Sequence, residues 1–285
     1  MNFKDFYQDQ KVKFSFEVFP PKTEEGVRSL FSELNQIQNL NPAFISVTYG
    51  AMGSTRDLTR DLAIKIKKEL GLTTAFHFTC VGSTRKSIKE YVEHLKKEGL
   101  NLVVALRGDA PQKTNKFTPP LHGFSYANEL VDYLKQINGF SIAVAGYPEG
   151  HIEAPNKNVD LENLKRKVDA GADSVITQLF FDNKDYFDFV NRARKIGISI
   201  PIIPGILPIL NVKQVERLAG LCGAKIQANL HQKLLQCGED ILAMREIGIE
   251  HATTQCQELI KKGAPGIHFY MLNKAHSVEK ILANL

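Results

Sequence analysis

The chain has 285 residues, 43% of them hydrophobic and 24% charged, with a formal net charge of +5 at pH 7, which excludes a disordered chain and provides for a sizeable buried core. Its basic residues (Lys65, Lys67, Lys68, Lys96, Lys97, Lys165, Arg166, Lys167, Lys261, Lys262) are scattered over helix faces, which argues against a nucleic-acid surface and suits an anionic small-molecule ligand. The four cysteines hold no C-x-x-C pair, the N-terminus lacks a secretory apolar core and no apolar run can span a bilayer, so a soluble, reduced, cytoplasmic protein without a metal site is expected.

The opening stretch, Lys13 to Lys22 (KFSFEVFPPK), reads as an apolar strand that carries one carboxylate, Glu17, and stops at Pro-Pro. Such a carboxylate either faces water or is held for a purpose, because burying it unpaired is costly. Thr23 then caps a helix from near Glu24, with Leu30, Phe31, Leu34 and Ile37 at helical spacing. A strand over Ala43 to Gly50, a helix over Arg56 to Leu70, a β-branched and aromatic strand over Thr73 to Cys80 and a helix over Lys86 to Glu98 follow. The strand Leu102 to Asp109 is continuously hydrophobic and ends abruptly polar, a pattern of burial on both faces. Its exit loop, Ala110 to Gly123, is long and rich in Pro and Lys, and is either functional or a surface excursion.

Helix resumes near Ser125, and Ser141 to Pro148, Ser174 to Phe181, Ile200 to Leu207 and Gly266 to Leu272 supply four further strands between helical stretches. Asn211 to Gly263 holds more helix than one crossover needs, so an extra helix or lid is expected before the last strand. Eight strands, each followed by a helix, predict an α/β fold: a single (β/α)8 TIM-type barrel over residues 1–285, with an open doubly wound sheet as the alternative. G-x-G-x-x-G and G-x-x-x-x-G-K-[ST] are absent, and His151-Ile152-Glu153 lacks the P-C-x-x-C half of a zinc deaminase signature.

In a barrel the C-terminal strand ends meet on one face, where chemistry sits. Collected there are Glu17, Thr48, Tyr49, His77, Thr79, Arg107, Asp109, Tyr147, His151, Gln178, Tyr270 and Asn273. His77 is either a hydrogen-bonded core histidine or a ligand contact; Tyr270 either packs with its hydroxyl at the rim or binds; Arg107 and Asp109 either pair with each other or hold a ligand. The set contains no Ser or Cys nucleophile with an evident base and no clustered metal ligands, which suits proton transfer around a bound organic cofactor. Asp160, Asn163, Arg166 and Lys167, near the start of the helix after the fifth strand, read either as a salt-bridged surface helix or as a holder of diphosphate or ribose.

The segments FSFEVFPPKT, FISVTYGA, HFTC, ALRGD, AGYPEGH, NLKRKVDAGAD, ITQLFFD, IIPGILPI and HFYMLN, in this order, resemble the methylenetetrahydrofolate reductase family from about Lys13 to Asn273. The likeness is to its short bacterial form, the catalytic barrel alone. The resemblance implies a barrel that binds flavin adenine dinucleotide (FAD), takes hydride from NADH or NADPH, and reduces 5,10-methylenetetrahydrofolate to 5-methyltetrahydrofolate in a ping-pong scheme that feeds methionine synthesis. By motif, Glu17 is the general acid that opens the folate's five-membered ring, with its pKa expected to be raised among Phe14, Phe16 and Phe19. Asp109 is the aspartate beside pterin and flavin. Thr48, Tyr49, Ala51, His77, Arg107, Gly108, Asp109, Tyr126, Tyr147, His151, Asp160, Asn163, Arg166 and Lys167 fall on cofactor-contacting positions, and Gln178, Tyr270 and Lys274 on substrate-binding ones. Relatives of this size imply a homo-oligomer, with a tetramer as one form, and no nucleic-acid or membrane partner.

Two departures stand out. Lys274 occupies a position where many relatives carry Arg, so the bidentate fork suited to the folate glutamyl tail is lost while the charge is kept. No Phe occurs between Gly205 and Gly266, where some bacterial relatives stack one on the nicotinamide donor, and Leu234 or Leu235 is the candidate replacement. Competing readings are another FAD barrel oxidoreductase, proline-dehydrogenase-like, and a non-catalytic subunit that holds flavin.

Overall fold

Alternation decides which side chains face which way. In a strand successive residues point to opposite faces, so in KFSFEV Phe14, Phe16 and Val18 take one side and Ser15 and Glu17 the other. A computed structural model of the chain, describing residues 2–9, 11–49, 56–108 and 119–285, shows which side is which. In chain order the strands and helices are β1 (Lys13–Val18), α1 (Glu24–Gln38), β2 (Phe44–Val47), α2 (Arg56–Leu70), β3 (Thr74–Thr79), α3 (Arg85–Lys97), β4 (Leu102–Leu106) and α4 (Ala127–Ile137). The second half runs β5 (Ser141–Gly146), α5 (Lys157–Asp169), β6 (Ser174–Thr177), α6 (Asn183–Lys195), β7 (Ile202–Ile203), β8 (Gly205–Ile206), α7 (Val212–Cys222), α8 (Ala228–Gln236), α9 (Ile241–Lys261), β9 (Gly266–Tyr270) and α10 (His276–Leu282).

All strand pairs are parallel and the order is β7-β6-β5-β4-β3-β2-β1-β9-β8. The expected seventh strand is present but divided: Pro204 separates β7, which pairs with β6, from β8, which pairs with β9. Proline has no N–H to give to a ladder; its carbonyl still accepts from His268 N–H at 2.9 Å. The segment 202–206 thus closes the sheet into the expected TIM-type barrel. Phe16, Ile45, Val47, Phe76, Phe78, Val103, Ile142 and Val144 face outward and pack under the helices in one continuous core.

The floor of the barrel is sealed by a feature with no periodic signal in the sequence, a 3₁₀ turn at Phe3–Tyr7. Phe3 is fully buried against Phe44, Ala75, Leu102, Val104, Ala143 and Ile176, with its ring edge-on to Phe44 at 5.2 Å. Its N–H donates to Ser141 Oγ at 2.8 Å, and that hydroxyl donates to the buried Asp173 carboxylate at 3.0 Å.

Around the same end a device repeats. Lysines in the last turns of α2, α3 and α4 each reach the turn that follows the next helix: Lys67 donates to the Glu98 (3.2 Å) and Gly99 carbonyls, Lys96 to the Asn138 carbonyl (3.1 Å), and Lys135 lies 3.5 Å from Asp173. Lys67 and Lys96 supply a cation where a helix C-terminus leaves unpaired carbonyls, and Lys135 faces a carboxylate beyond one. The expected surplus before the last strand is α7, α8 and α9, which fold over their own apolar cluster of Leu179, Phe181, Ile209, Val215, Leu230, Leu234 and Met244. No helix among the described residues is long and apolar enough to cross a membrane.

Because Phe3 fills the barrel floor, Phe3→Ala should lower unfolding stability by about 3–5 kcal/mol, read as a fall in the denaturant midpoint. A change within about 0.5 kcal/mol would mean that the N-terminal turn is a loose tail.

Candidate active site

At the C-terminal strand ends lies a cavity of about 880 Å³, at the upper end of the range for a single ligand site. Glu17, Thr48, Tyr49, His77, Thr79, Arg107, Gly108, Tyr126, Tyr147, His151, Asp160, Asn163, Arg166, Lys167, Gln178 and Tyr270 all line it. Ala51 and Asp109 lie outside the described residues. Lys274 is not among the lining residues; its Nζ is 3.2 Å from Glu33 Oε1 on α1, whose other oxygen accepts from Ala275 N–H at 2.8 Å.

Glu17 projects inward from β1 between two imidazoles. His77 Nε2, from β3, is 3.2 Å from Glu17 Oε2, close enough for an ion pair although its geometry is not that of a hydrogen bond. His268 Nε2, from β9, is 3.4 Å from the same oxygen, and His268 Nδ1 is 2.8 Å from Ser15 Oγ. Burial by itself would raise the Glu17 carboxyl, but the charge of His77 and the contacts with His268 outweigh it and hold the group well below the usual carboxylate range, at about 2. The expectation of a raised pKa is therefore corrected. Phe14 and Phe16 lie on the opposite, helix-facing side of β1, with Phe16 stacked on Phe269 at 5.8 Å, so they do not surround the carboxylate.

The wall contributed by β5, its exit loop and α5 is cationic and polar. Asn156 caps α5, its side chain accepting from the N–H groups of Asn158 and Val159 at 3.0 Å. One turn on, Asp160 is buried, and burial raises its carboxyl despite Lys167 and His151 nearby. Lys167 donates to the Ala145 carbonyl at 2.5 Å and lies 5.9 Å over the Tyr147 ring. Burial pushes its ammonium down to about 8, with Asp160 opposing the shift. His151 stands edge-on to Tyr147 at 4.6 Å, and its Nδ1 accepts from the Glu153 N–H at 3.1 Å, which puts a neutral ring's proton on Nε2. Arg107 does not face the described chain alone: Glu153 binds both of its terminal nitrogens, at 2.5 and 2.7 Å.

On the far side Tyr270 donates to the Thr177 carbonyl at 2.6 Å, and burial first, then the Glu17 charge, raise its hydroxyl strongly. A Cβ on Gly205 would stand 2.7 Å from the Tyr270 ring, so only glycine there leaves the tyrosine its seat. Gln178 lines the cavity with its side-chain oxygen accepting from Leu179 N–H at 2.9 Å. Leu272 and Asn273 take consecutive left-handed conformations, φ 51° and 57°, an unusual pair for residues with side chains. Asn273 then accepts from the Phe19 N–H at 3.0 Å and donates to the Phe19 carbonyl at 2.9 Å, fastening β9 to the end of β1.

Sequence reasoning missed His268, Ser15, Glu153 and Leu218. The first two carried a signal: each lies two residues before a chosen site residue, Tyr270 or Glu17, and so shares its inward face. Neither Leu234 nor Leu235 reaches the cavity; Leu234 is buried in the cluster under α7–α9 and Leu235 is exposed, because helical spacing turns them away. The lining residue from α7 is Leu218. The donor set fits a dinucleotide: cations and an amide along one wall, with aromatic and apolar surface beside them.

A family model described as methylenetetrahydrofolate reductase matches residues 2–285. The Escherichia coli K12 protein named 5,10-methylenetetrahydrofolate reductase is 39% identical over 265 residues, covering 93% of this chain and 88% of its own. The Arabidopsis thaliana protein named methylenetetrahydrofolate reductase (NADH) 1 is 40% identical over 293 residues, 99% of this chain but 50% of its own, so the chain spans about half the length of the plant relatives it matches. Among solved structures, a Clostridium thermocellum protein described as binding two copies of 5-methyl-5,6,7,8-tetrahydrofolic acid aligns with a TM-score of 0.66 at 14% identity, covering 100% of this chain and 97% of that one. Dihydropteroate synthase from Xanthomonas albilineans aligns at 0.52 and 9% identity, covering 96% and 92%. At these identities the structural likeness speaks for the barrel.

The Glu17 carboxyl is depressed from 4.5 to about 2, so its pairing stabilises the folded state above the unfolded pKa and that contribution is lost as pH falls through the folded one. Stability measured against pH should decline between about 4.5 and 2 by on the order of 3 kcal/mol more in the unsubstituted protein than in Glu17→Gln. Parallel curves would show that the carboxylate is not paired.

Proposed function

The chain belongs to the methylenetetrahydrofolate reductase family, and from that premise we propose that it reduces 5,10-methylenetetrahydrofolate to 5-methyltetrahydrofolate with electrons from a reduced nicotinamide dinucleotide. The observation that carries this reading is the carboxylate–imidazole cluster of Glu17, His77 and His268 at the cavity floor. It lies beside a cavity of about 880 Å³ that brings carboxylate and imidazoles within reach of a bound ring. When bound, FAD supplies the two-electron chemistry that links donor to folate. Arg107, Arg166 and Lys167 would meet its anionic part, with Asp160 and Asn163 as hydrogen-bond partners. Thr48, Tyr49, His77, Gly108, Tyr126, Tyr147 and His151 would complete its surround. The names of the plant relatives point to NADH as donor.

Opening the folate's five-membered ring needs a proton at the departing nitrogen. Glu17 is ionised in the resting site, so the proton it delivers has to be stored nearby. His77 Nε2 and His268 Nε2 lie 3.2 and 3.4 Å from Glu17 Oε2, within reach of proton transfer, and Ser15 fixes the His268 ring from its other nitrogen. The cluster therefore works as one acid, with Glu17 as the member that touches substrate. Gln178 and Tyr270 orient the substrate ring, and Tyr270, pinned to the Thr177 carbonyl, stays protonated throughout.

Anaerobic reduction of the purified protein by NADH and by NADPH, followed by methylenetetrahydrofolate, tests the reaction. Bleaching of a yellow protein and its recovery on folate addition are expected. A colourless protein that takes up no FAD would overturn the assignment, and oxidation of proline with no response to folate would favour the proline-dehydrogenase-like alternative.

Glu17→Gln should keep FAD binding and reduction by the nicotinamide donor while folate reduction falls at least about 100-fold, the scale of general acid catalysis; equal losses in both half-reactions would make Glu17 structural. Since Lys167 is charged only below about 8, its attraction for an anionic cofactor is present below that pH and lost above it. FAD affinity should weaken across pH 8 and Lys167→Met should remove that inflection, as read by fluorescence titration.

A further inference from the structure

Arg107 stands at the end of β4 on the cavity wall, with its Nε donating to the Gly108 carbonyl at 3.1 Å and its two terminal nitrogens gripped by Glu153. The guanidinium is largely covered, whereas the Glu153 side chain is 52% exposed, at the mouth of the site. Glu153 also lines the cavity, and its own backbone is fixed separately: its N–H donates to His151 Nδ1. The carboxylate can therefore swing away by side-chain rotation while the loop that carries Tyr147 and His151 stays in place.

A carboxylate presented flat to an Arg fork has the geometry of a phosphate or ligand carboxylate presented to it. From this we infer that Glu153 is an internal stand-in for an anionic ligand group, which competes for Arg107 and sets the affinity of the site for dinucleotides. The inference rests on the cofactor reading given above. The pair is half-exposed, so it is cheap to break, and a doubly charged diphosphate outbids a single carboxylate for the same fork. Until then Arg107 is held extended towards the cavity instead of relaxing into solvent. Nearby charges agree with this order of preference: Arg166 and Lys167 line the same cavity and would add to a diphosphate's pull.

The test is titration of the flavin-free 285-residue chain with FAD. Glu153→Gln should bind FAD about two- to five-fold more tightly than the unsubstituted chain, the scale of one exposed ion pair. Glu162→Gln, which removes the same charge from an exposed position of α5, should not. In an Arg107→Gln background, Glu153→Gln should have no effect. Unchanged or weaker binding by Glu153→Gln overturns the inference, weaker binding meaning that Glu153 positions Arg107 in the loaded site. If the unsubstituted chain takes up FAD and only the tightening fails, the cofactor reading stands; if it takes up none, both fall.

Discussion

A carboxylate inside a barrel must be neutralised by what the neighbouring strands bring to it. Glu17 is enclosed because β1 lies between β2 and β9 in a closed sheet, and an unpaired charge there would cost several kcal/mol. The compensation comes from strands on both sides, His77 from β3 and His268 from β9, with Ser15 and Ser46 holding His268 in turn. Closure of the barrel and ionisation of Glu17 are thus one constraint seen twice. A sheet left open between β9 and β1 would part Glu17 from His268, and β7 and β8, split at Pro204, complete the ring that prevents this.

The two ends of the barrel are built for different tasks. The lower end is packed and redundantly tied, by the Phe3 plug, the Asp173 network and three helix-terminal lysines that each brace the next unit. The upper end carries unusual backbone in Leu272 and Asn273, a glycine kept bare for Tyr270, and a buried ammonium at Lys167. Such features persist only where surrounding structure over-determines them, as the bonds of Asn273 to Phe19 and of Tyr270 to Thr177 do here.

Charge is also divided within the cavity. The carboxylate–imidazole cluster lies at the floor beneath β1, β3 and β9, and the cationic wall belongs to β4, β5 and α5. The two sets of charges are thus kept apart, and neither has to serve both ends of the cavity. The cationic wall is self-neutralised, Arg107 by Glu153 and Lys167 in part by Asp160, which spares it the cost of uncompensated buried charge.

Strand–helix alternation, the Thr23 cap and the surplus of helix in 211–263 were all legible, because each is written in local periodicity or capping chemistry. So were most of the cavity's polar residues, since polar side chains at the ends of buried strands have few other reasons to be there. The Phe3 plug was not legible, as five residues of polar and aromatic chain carry no period. The pairing of Arg107 with Glu153 joins positions 46 apart in sequence, and nothing local relates them. The protonation state of Glu17 was the sharpest case. Its sequence neighbours Phe14 and Phe16 suggested a greasy site and a raised pKa, yet they face the other way. By itself the sequence determined the barrel, the face on which chemistry sits and the residue types available there. Only the tertiary structure decided which of them touch, because a pKa is set by the few ångströms around a group in space, and for Glu17 those are occupied by β3 and β9.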